Sequence, residues 1–163
     1  DFLYNMRKLA GCGVMIRDSS GGYVEPNGWK ADITYFVNNE DCEKLRKGLT
    51  FVADMFFEAG AEKVKPLVNR AKFWSSRQRT RSKILQAGAP GDFTLYASHP
   101  LGTCRMSADP DRGVIRPSDG QTWDVDNLHV TDASVFPSAP GVNPQVTIMA
   151  TSLQLARGIV ENA

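Results

Sequence analysis

A chain of 163 residues accommodates one domain, or one domain plus part of another, with a core of useful size. An apolar share of 42%, a charged share of 23% and a net charge of +1 are ordinary for a globular protein and argue against a chain built to hold nucleic acid. Cys12, Cys42 and Cys104 show no CxxC or Cys/His spacing, which disfavours a disulfide framework or a metal site and leans towards reduced thiols and a cytoplasmic setting. No apolar run approaches the roughly 20 residues that a membrane span needs.

Residues 1–38 read as β structure. Val14-Met15-Ile16 and Ile33-Thr34-Tyr35-Phe36-Val37 are rich in β-branched and aromatic residues. The turn signals Asp18-Ser19-Ser20-Gly21-Gly22 and Pro26-Asn27-Gly28 lie between them, so a meander of two or three antiparallel strands is expected. Residues 40–59 read as one amphipathic helix covering that sheet. Cys42, Leu45, Leu49, Val52, Phe56 and Ala59 form its apolar stripe, Asn39 its cap and Gly60 its stop.

From Lys63 to Lys83 the chain is basic, with Phe73 and Trp74 interleaved. A solvated face explains such a run, and docking of an acidic partner is the functional alternative. After Gly88-Ala89-Pro90-Gly91-Asp92, residues Phe93–Ala97 read as a strand leading into His99. A polar, turn-rich loop fills 107–122, and Leu128-His129-Val130-Thr131 reads as a short strand ending at Asp132. The last helix opens with Asn143 as cap and Pro144 in its first turn, and its expected buried stripe is Val146, Met149, Ala150, Leu153, Ala156 and Val160.

Five positions are weighed for chemistry, and three keep a chemical reading beside a structural one. His99 is held extended by Pro100, close to the turn-forming Gly102, and is readable as a proton acceptor or as a buried, hydrogen-bonded structural histidine. Asn143 is explained by capping alone. A helix N-terminus also concentrates N–H groups and about half an elementary charge, which suits a ring that becomes anionic. Asp132, at a strand's carboxyl end, suits a sugar-alcohol hydroxyl or an Asx turn. Cys104 has no base beside it in sequence and reads as a packed thiol, and His129 reads as structural.

Taken together, three segments resemble the C-terminal signature of the glucose–methanol–choline (GMC) family of FAD-dependent oxidoreductases. They are His99-Pro-Leu-Gly-Thr-Cys-Arg-Met106, Trp123-Asp-Val-Asp-Asn-Leu-His-Val-Thr-Asp-Ala-Ser-Val-Phe-Pro137 and Gly141-Val-Asn-Pro-Gln-Val-Thr147. The match is strong over about 93–163 and loose over 1–92. The resemblance implies an α+β fold: a mostly antiparallel substrate-domain sheet with covering helices, plus a last strand and helix of an incomplete FAD-binding α/β domain. Residues 1–98 would be substrate-domain chain, and 99–163 the flavin-contacting segment.

The resemblance further implies that His99 takes the proton of an alcohol while hydride leaves for flavin N5, and that Asn143 orients the alcohol oxygen. Asp132 and Ala133 would contact the ribityl and phosphate region; Pro144, Gln145 and Thr147 would lie under the pyrimidine end of the ring. The wording is nearest to sterol-oxidase and long-chain-alcohol-oxidase relatives, which favours a bulky apolar alcohol over choline-type or sugar substrates. The family's Gly-x-Gly-x-x-Gly fingerprint is missing: Gly11-Cys12-Gly13 and Gly21-Gly22 do not fit it. The FAD-binding region is therefore expected in chain ahead of Asp1, and this segment alone is expected neither to retain FAD nor to turn over.

Overall fold

The structure is a computed structural model and describes residues 6–161. Two compact units emerge, and the chain passes between them more than once. The first joins the residues up to Ile16 with Asn39–Thr94, and the second joins Arg17–Asn38 with the chain from Leu95 onward.

The first unit is built on a helix pair. α1 spans Asn39–Glu58 and buries Cys42, Leu45, Leu49 and Ala53. Each buried leucine contributes about 1.5–3 kcal/mol. Val52 and Phe56 are half-buried and Ala59 is exposed, so the stripe is shorter than its periodicity predicts. Asn39 is the first helical residue rather than the cap, and the helix stops before Gly60, at φ +91°. Asp41 is fully buried in the first turn, where the helix dipole favours an acid. Lys44 Nζ lies 2.7 Å from its carboxylate. The hydrogen bonds to Asp41 and Glu40 raise the lysine's pKa above its ordinary value.

α2 spans Arg77–Leu85, capped by Ser76, whose Oγ accepts from Arg79 N–H at 3.2 Å. It packs on α1 through Ile84 and Thr80, both fully buried. Arg77 reaches Glu58 at 2.8 Å and lies over the Phe57 ring, and Arg81 reaches Asp54 at 3.7 Å. Two of the basic residues in the 63–83 run are thus docked on the acids of α1.

The second unit has one hairpin, β1 (Gly21–Asn27) and β2 (Lys30–Phe36), in antiparallel register from Gly21↔Phe36 to Asn27↔Lys30. Gly28, at φ +59°, opens its two-residue turn. Directly opposed residues share a face, so Val24, Ile33 and Tyr35 line one side and Tyr23 and Phe36 the other. All five are exposed.

The expected mostly antiparallel sheet is therefore two strands among the described residues, although the fold remains α+β. Val14-Met15-Ile16 forms no strand because Val14 is drawn against α1: its Cγ1 lies 2.4 Å from where a Gly48 Cβ would stand. Within the first unit, the helical partner of α1 is α2. Phe93 is buried and bridges Val68, but residues 94–97 pair with nothing regular, so the strand expected before His99 is absent.

α3 spans Gln145–Glu161 and differs most from expectation. Its buried residues are Leu155 and Gly158, with Ile148, Thr151, Ser152 and Ile159 half-buried beside them. The expected stripe is exposed instead: Val146 is 74% exposed, Met149 57%, Leu153 55% and Val160 78%. The helix is apolar on both sides, and periodicity selected the broader side, whereas the fold uses the side with small residues. Gly158 explains this choice, because a Cβ there would stand 2.0 Å from Ser118 O. The helix backbone lies directly on the 118–119 turn.

Candidate active site

All the residues singled out for chemistry fall in the second unit. What joins them is a small core. Ile115, Val135 and Leu155 are essentially inaccessible, and Met106, Val130 and Phe136 pack against them. Met106 ends the His99 segment, Val130, Val135 and Phe136 belong to the Asp132 segment, and Leu155 lies on the helix that follows Asn143. Three motifs far apart in sequence meet in one apolar cluster.

Backbone hydrogen bonds fix two of them together. Gly102 and Cys104 N–H both donate to Ser134 O at 3.1 Å, and Met106 N–H donates to Val135 O at 2.8 Å. Two donors on one carbonyl pull 102–104 into a tight arch, with Gly102 at φ +91°. His99 sits exposed just ahead of this arch, in a bend rather than at a strand's end. It is not a buried structural histidine.

Asp132 caps a short 3-10 turn, Ala133–Val135, its Oδ1 accepting from Ser134 N–H at 2.8 Å and from the Ser134 hydroxyl. This is the Asx-turn geometry that the position of Asp132 allows. Asp132 is exposed and Ala133 half-buried, and Oδ2 takes no part in that cap. Ser152 of α3 donates to Thr131 O, tying the helix to the same segment.

The helix start is offset by one residue from expectation. Pro144 is outside α3 and supplies the carbonyl that accepts from Ile148 N–H at 2.7 Å, which makes it the cap residue. A proline has no N–H to leave unsatisfied there. Asn143 thereby moves one position out; its side chain is exposed and has no hydrogen-bond partner among the described residues. Pro144 is buried, while Gln145, Val146 and Thr147 are exposed, so the unpaired N–H groups of the first turn lie on an open surface. This donor set suits a ligand carrying electron-rich carbonyl or ring atoms.

Sequence reasoning missed two residues. Asp119 is 2% exposed and organises the 116–121 turn. It accepts from Arg116 Nη2 at 2.7 Å, Gln121 N–H at 3.1 Å and Ser118 Oγ at 3.3 Å. Burial opposes its charge, but these donors outweigh burial and hold its carboxyl below the usual range. His129 Nδ1 lies 3.1 Å from Asp119 O, consistent with its structural assignment. The only sequence signal for this latch is an Arg three residues before an Asp in a turn. The other missed residue is Arg17, whose alkyl stem lies against Gly141; no pattern marks it. Cys104 is half-buried in the arch. Among the described residues, no group of three or more His, Cys, Asp or Glu gathers to hold a metal, and no helix is long and apolar enough to cross a membrane.

The family model described as GMC oxidoreductase matches residues 18–152, and the chain belongs to that family. It is similar to the long-chain-alcohol oxidase FAO4A of Arabidopsis thaliana, at 32% identity over 155 residues, covering 90% of this chain and 21% of that protein. It is also similar to an uncharacterized GMC-type oxidoreductase, y4nJ, of Sinorhizobium fredii, at 34% identity over 154 residues, covering 91% of this chain and 30% of that protein. The chain thus spans between a fifth and a third of the length of these relatives. Among solved structures, formate oxidase of Aspergillus oryzae RIB40 superposes with a TM-score of 0.62 at 24% identity, over 86% of this chain and 25% of that one, and shows the shared fold. GMC oxidoreductases are FAD flavoproteins.

Proposed function

We propose that this chain is the C-terminal part of an FAD-dependent alcohol oxidoreductase that converts an alcohol to an aldehyde or ketone. The observation that carries the reading is the shared Ile115–Val135–Leu155 core, which holds the His99, Asp132 and Asn143 segments together while leaving His99 and the Asn143 carboxamide unused by the fold. The residues fit FAD: an open helix start with free N–H groups, a carboxamide without a partner, and an exposed Asp132.

FAD, when bound, supplies the acceptor for the hydride that leaves the alcohol carbon. The chain's own residues supply the rest. His99 takes the hydroxyl proton at an imidazole nitrogen. An alcohol is far too weak an acid for an imidazole to ionise it outright, so proton removal must accompany hydride departure. Asn143 donates from its amide to the alcohol oxygen and orients it. The start of α3 would support the pyrimidine end of the ring, Pro144 as its cap residue and Gln145 and Thr147 through the N–H groups and partial positive charge of the first turn. Asp132 and Ala133 would hold the ribityl and phosphate region.

The alcohol favoured is bulky and apolar or long-chain, in keeping with the long-chain-alcohol oxidases among the relatives; choline-type and sugar alcohols are the competing classes. The remaining FAD-binding chain packs on the exposed apolar side of α3 and against the open hairpin, since a lone two-stranded sheet is marginal in water. An acidic partner for the basic run is the less favoured reading, because Arg77 and Arg81 already pair with Asp54 and Glu58. Expressing residues 1–163 and recording the visible spectrum tests this division of labour. No flavin absorbance is expected, and stoichiometric flavin would overturn it.

A further inference from the structure

We propose that Arg17 is a positioning residue of the Gly141–Asn143 loop, clamping Gly141 with its alkyl stem and so fixing where the Asn143 carboxamide stands. The inference rests on the reading of Asn143 as a substrate-orienting group. Asn143 is held on one side by Pro144, which is buried and anchored through its carbonyl to Ile148 N–H at 2.7 Å. Proline also keeps the preceding residue extended. On the other side, two residues away, stands Gly141 at φ +80°. Arg17 Cβ, Cδ and Cγ lie 3.2, 3.5 and 3.7 Å from where a Gly141 Cβ would be. The arginine's methylenes cover that backbone, as long charged side chains do on apolar surface. Residues 140–143 are all exposed, so this contact is the second fixed point of a span otherwise open to solvent.

Arg17→Ala removes the stem, whereas Arg17→Met keeps an unbranched apolar one and removes the charge. Both are made in the flavin-loaded, full-length enzyme. The first measurement is amide hydrogen exchange over residues 138–146: Arg17→Ala speeds exchange there, and Arg17→Met leaves it near the parent rate. The second is stopped-flow flavin reduction at saturating alcohol: Arg17→Ala slows it about tenfold, Arg17→Met recovers it to within about twofold, and flavin content is unchanged. In an Asn143→Ala background, Arg17→Ala adds nothing further, because it acts through Asn143.

Unchanged exchange in Arg17→Ala overturns the proposal. So does full additivity with Asn143→Ala, or an Arg17→Met variant as slow as Arg17→Ala. If Asn143→Ala alone reduces flavin at the parent rate, the role of Asn143 is overturned instead. Faster loop exchange in Arg17→Ala distinguishes that failure from this one.

Discussion

α1 and α3 are similar in length and each carries an apolar stripe marked by its periodicity, yet they use that stripe in opposite ways. α1 turns Cys42, Leu45 and Leu49 inward, as their spacing dictates. α3 turns Val146, Met149, Leu153 and Val160 outward and buries a narrower strip through Leu155 and Gly158. A helix with one apolar side has one way to fold. A helix apolar on two sides has two partners, and the described residues supply one of them. The two units differ in the same sense. The first is held by a helix pair with side-chain ion pairs, the second by backbone hydrogen bonds among irregular segments that carry the motif residues.

The sharpest break of this comparison is chemical. In the full-length enzyme, His99→Ala is expected to slow flavin reduction by about 10²–10⁴-fold, the usual contribution of a positioned base, with FAD still bound. The first unit offers no counterpart: Arg79→Ala, at an exposed position of α2, leaves the same rate within about twofold, as a surface substitution away from the chemistry should. A parent rate in His99→Ala, measured by stopped flow, would remove the imidazole from the mechanism.

Next in size is a packing effect. Gly158→Ala adds one methyl group where Ser118 O stands 2.0 Å away, and that oxygen is backbone and cannot swing aside. Overpacking of this kind costs about 1–3 kcal/mol, read as a lower midpoint in urea unfolding. A midpoint equal to the parent's would mean that α3 does not lie on the 118–119 turn.

The Asp119 latch gives a pH-dependent test of the same unit. Its carboxyl is held below the ordinary value by Gln121 N–H, Arg116 and Ser118, against the opposing effect of burial. A depressed folded-state pKa means that the stabilisation is complete above the unfolded value, near 3.9, and is lost as pH falls through the folded value. Asp119→Asn is expected to cost about 1.5–3 kcal/mol at pH 7, the scale of a hydrogen bond to a charged group. It should also flatten the loss of melting temperature below pH 4. A variant that keeps the parent's full acid sensitivity would assign that sensitivity to other carboxylates.

How much of this was legible depended on which physical signal each element carries. α1 was legible because a 20-residue helix repeats its apolar period several times, and Gly60 marks its end. The hairpin was legible in β2 and its glycine turn, but the extra strands were not real: Val14 packs as a single side chain against α1, and residues 94–97 join no ladder, Thr94 N–H making a single bond to Leu67 O. Strand propensity registers β-branched residues and cannot register the absence of a partner. The three motif segments were legible as a resemblance, whereas their shared core was not, because Met106, Val135 and Leu155 sit at no common period. Arg17 acts through a contact distant in sequence, and Asp119 through neighbours within three residues whose order marks no motif, so neither left more than a faint local trace.

The smallest effect returns to the two helices and inverts an ordinary expectation. Leu153→Ala removes three carbons from a helix, a change that costs about 2–5 kcal/mol in a packed core. Leu153 is 55% exposed here, so in isolated residues 1–163 the change should cost under about 0.5 kcal/mol. The equivalent truncation on the other side, Leu155→Ala, removes a residue 1% exposed and should carry the full core penalty. In the full-length flavoprotein the asymmetry should shrink if, as proposed, the FAD-binding chain covers the side bearing Leu153. Urea unfolding of both variants in both contexts measures this directly. A Leu153→Ala cost that stays near zero in the full-length protein would mean that α3 keeps that side in water, and the partner assigned to it would have to be sought elsewhere.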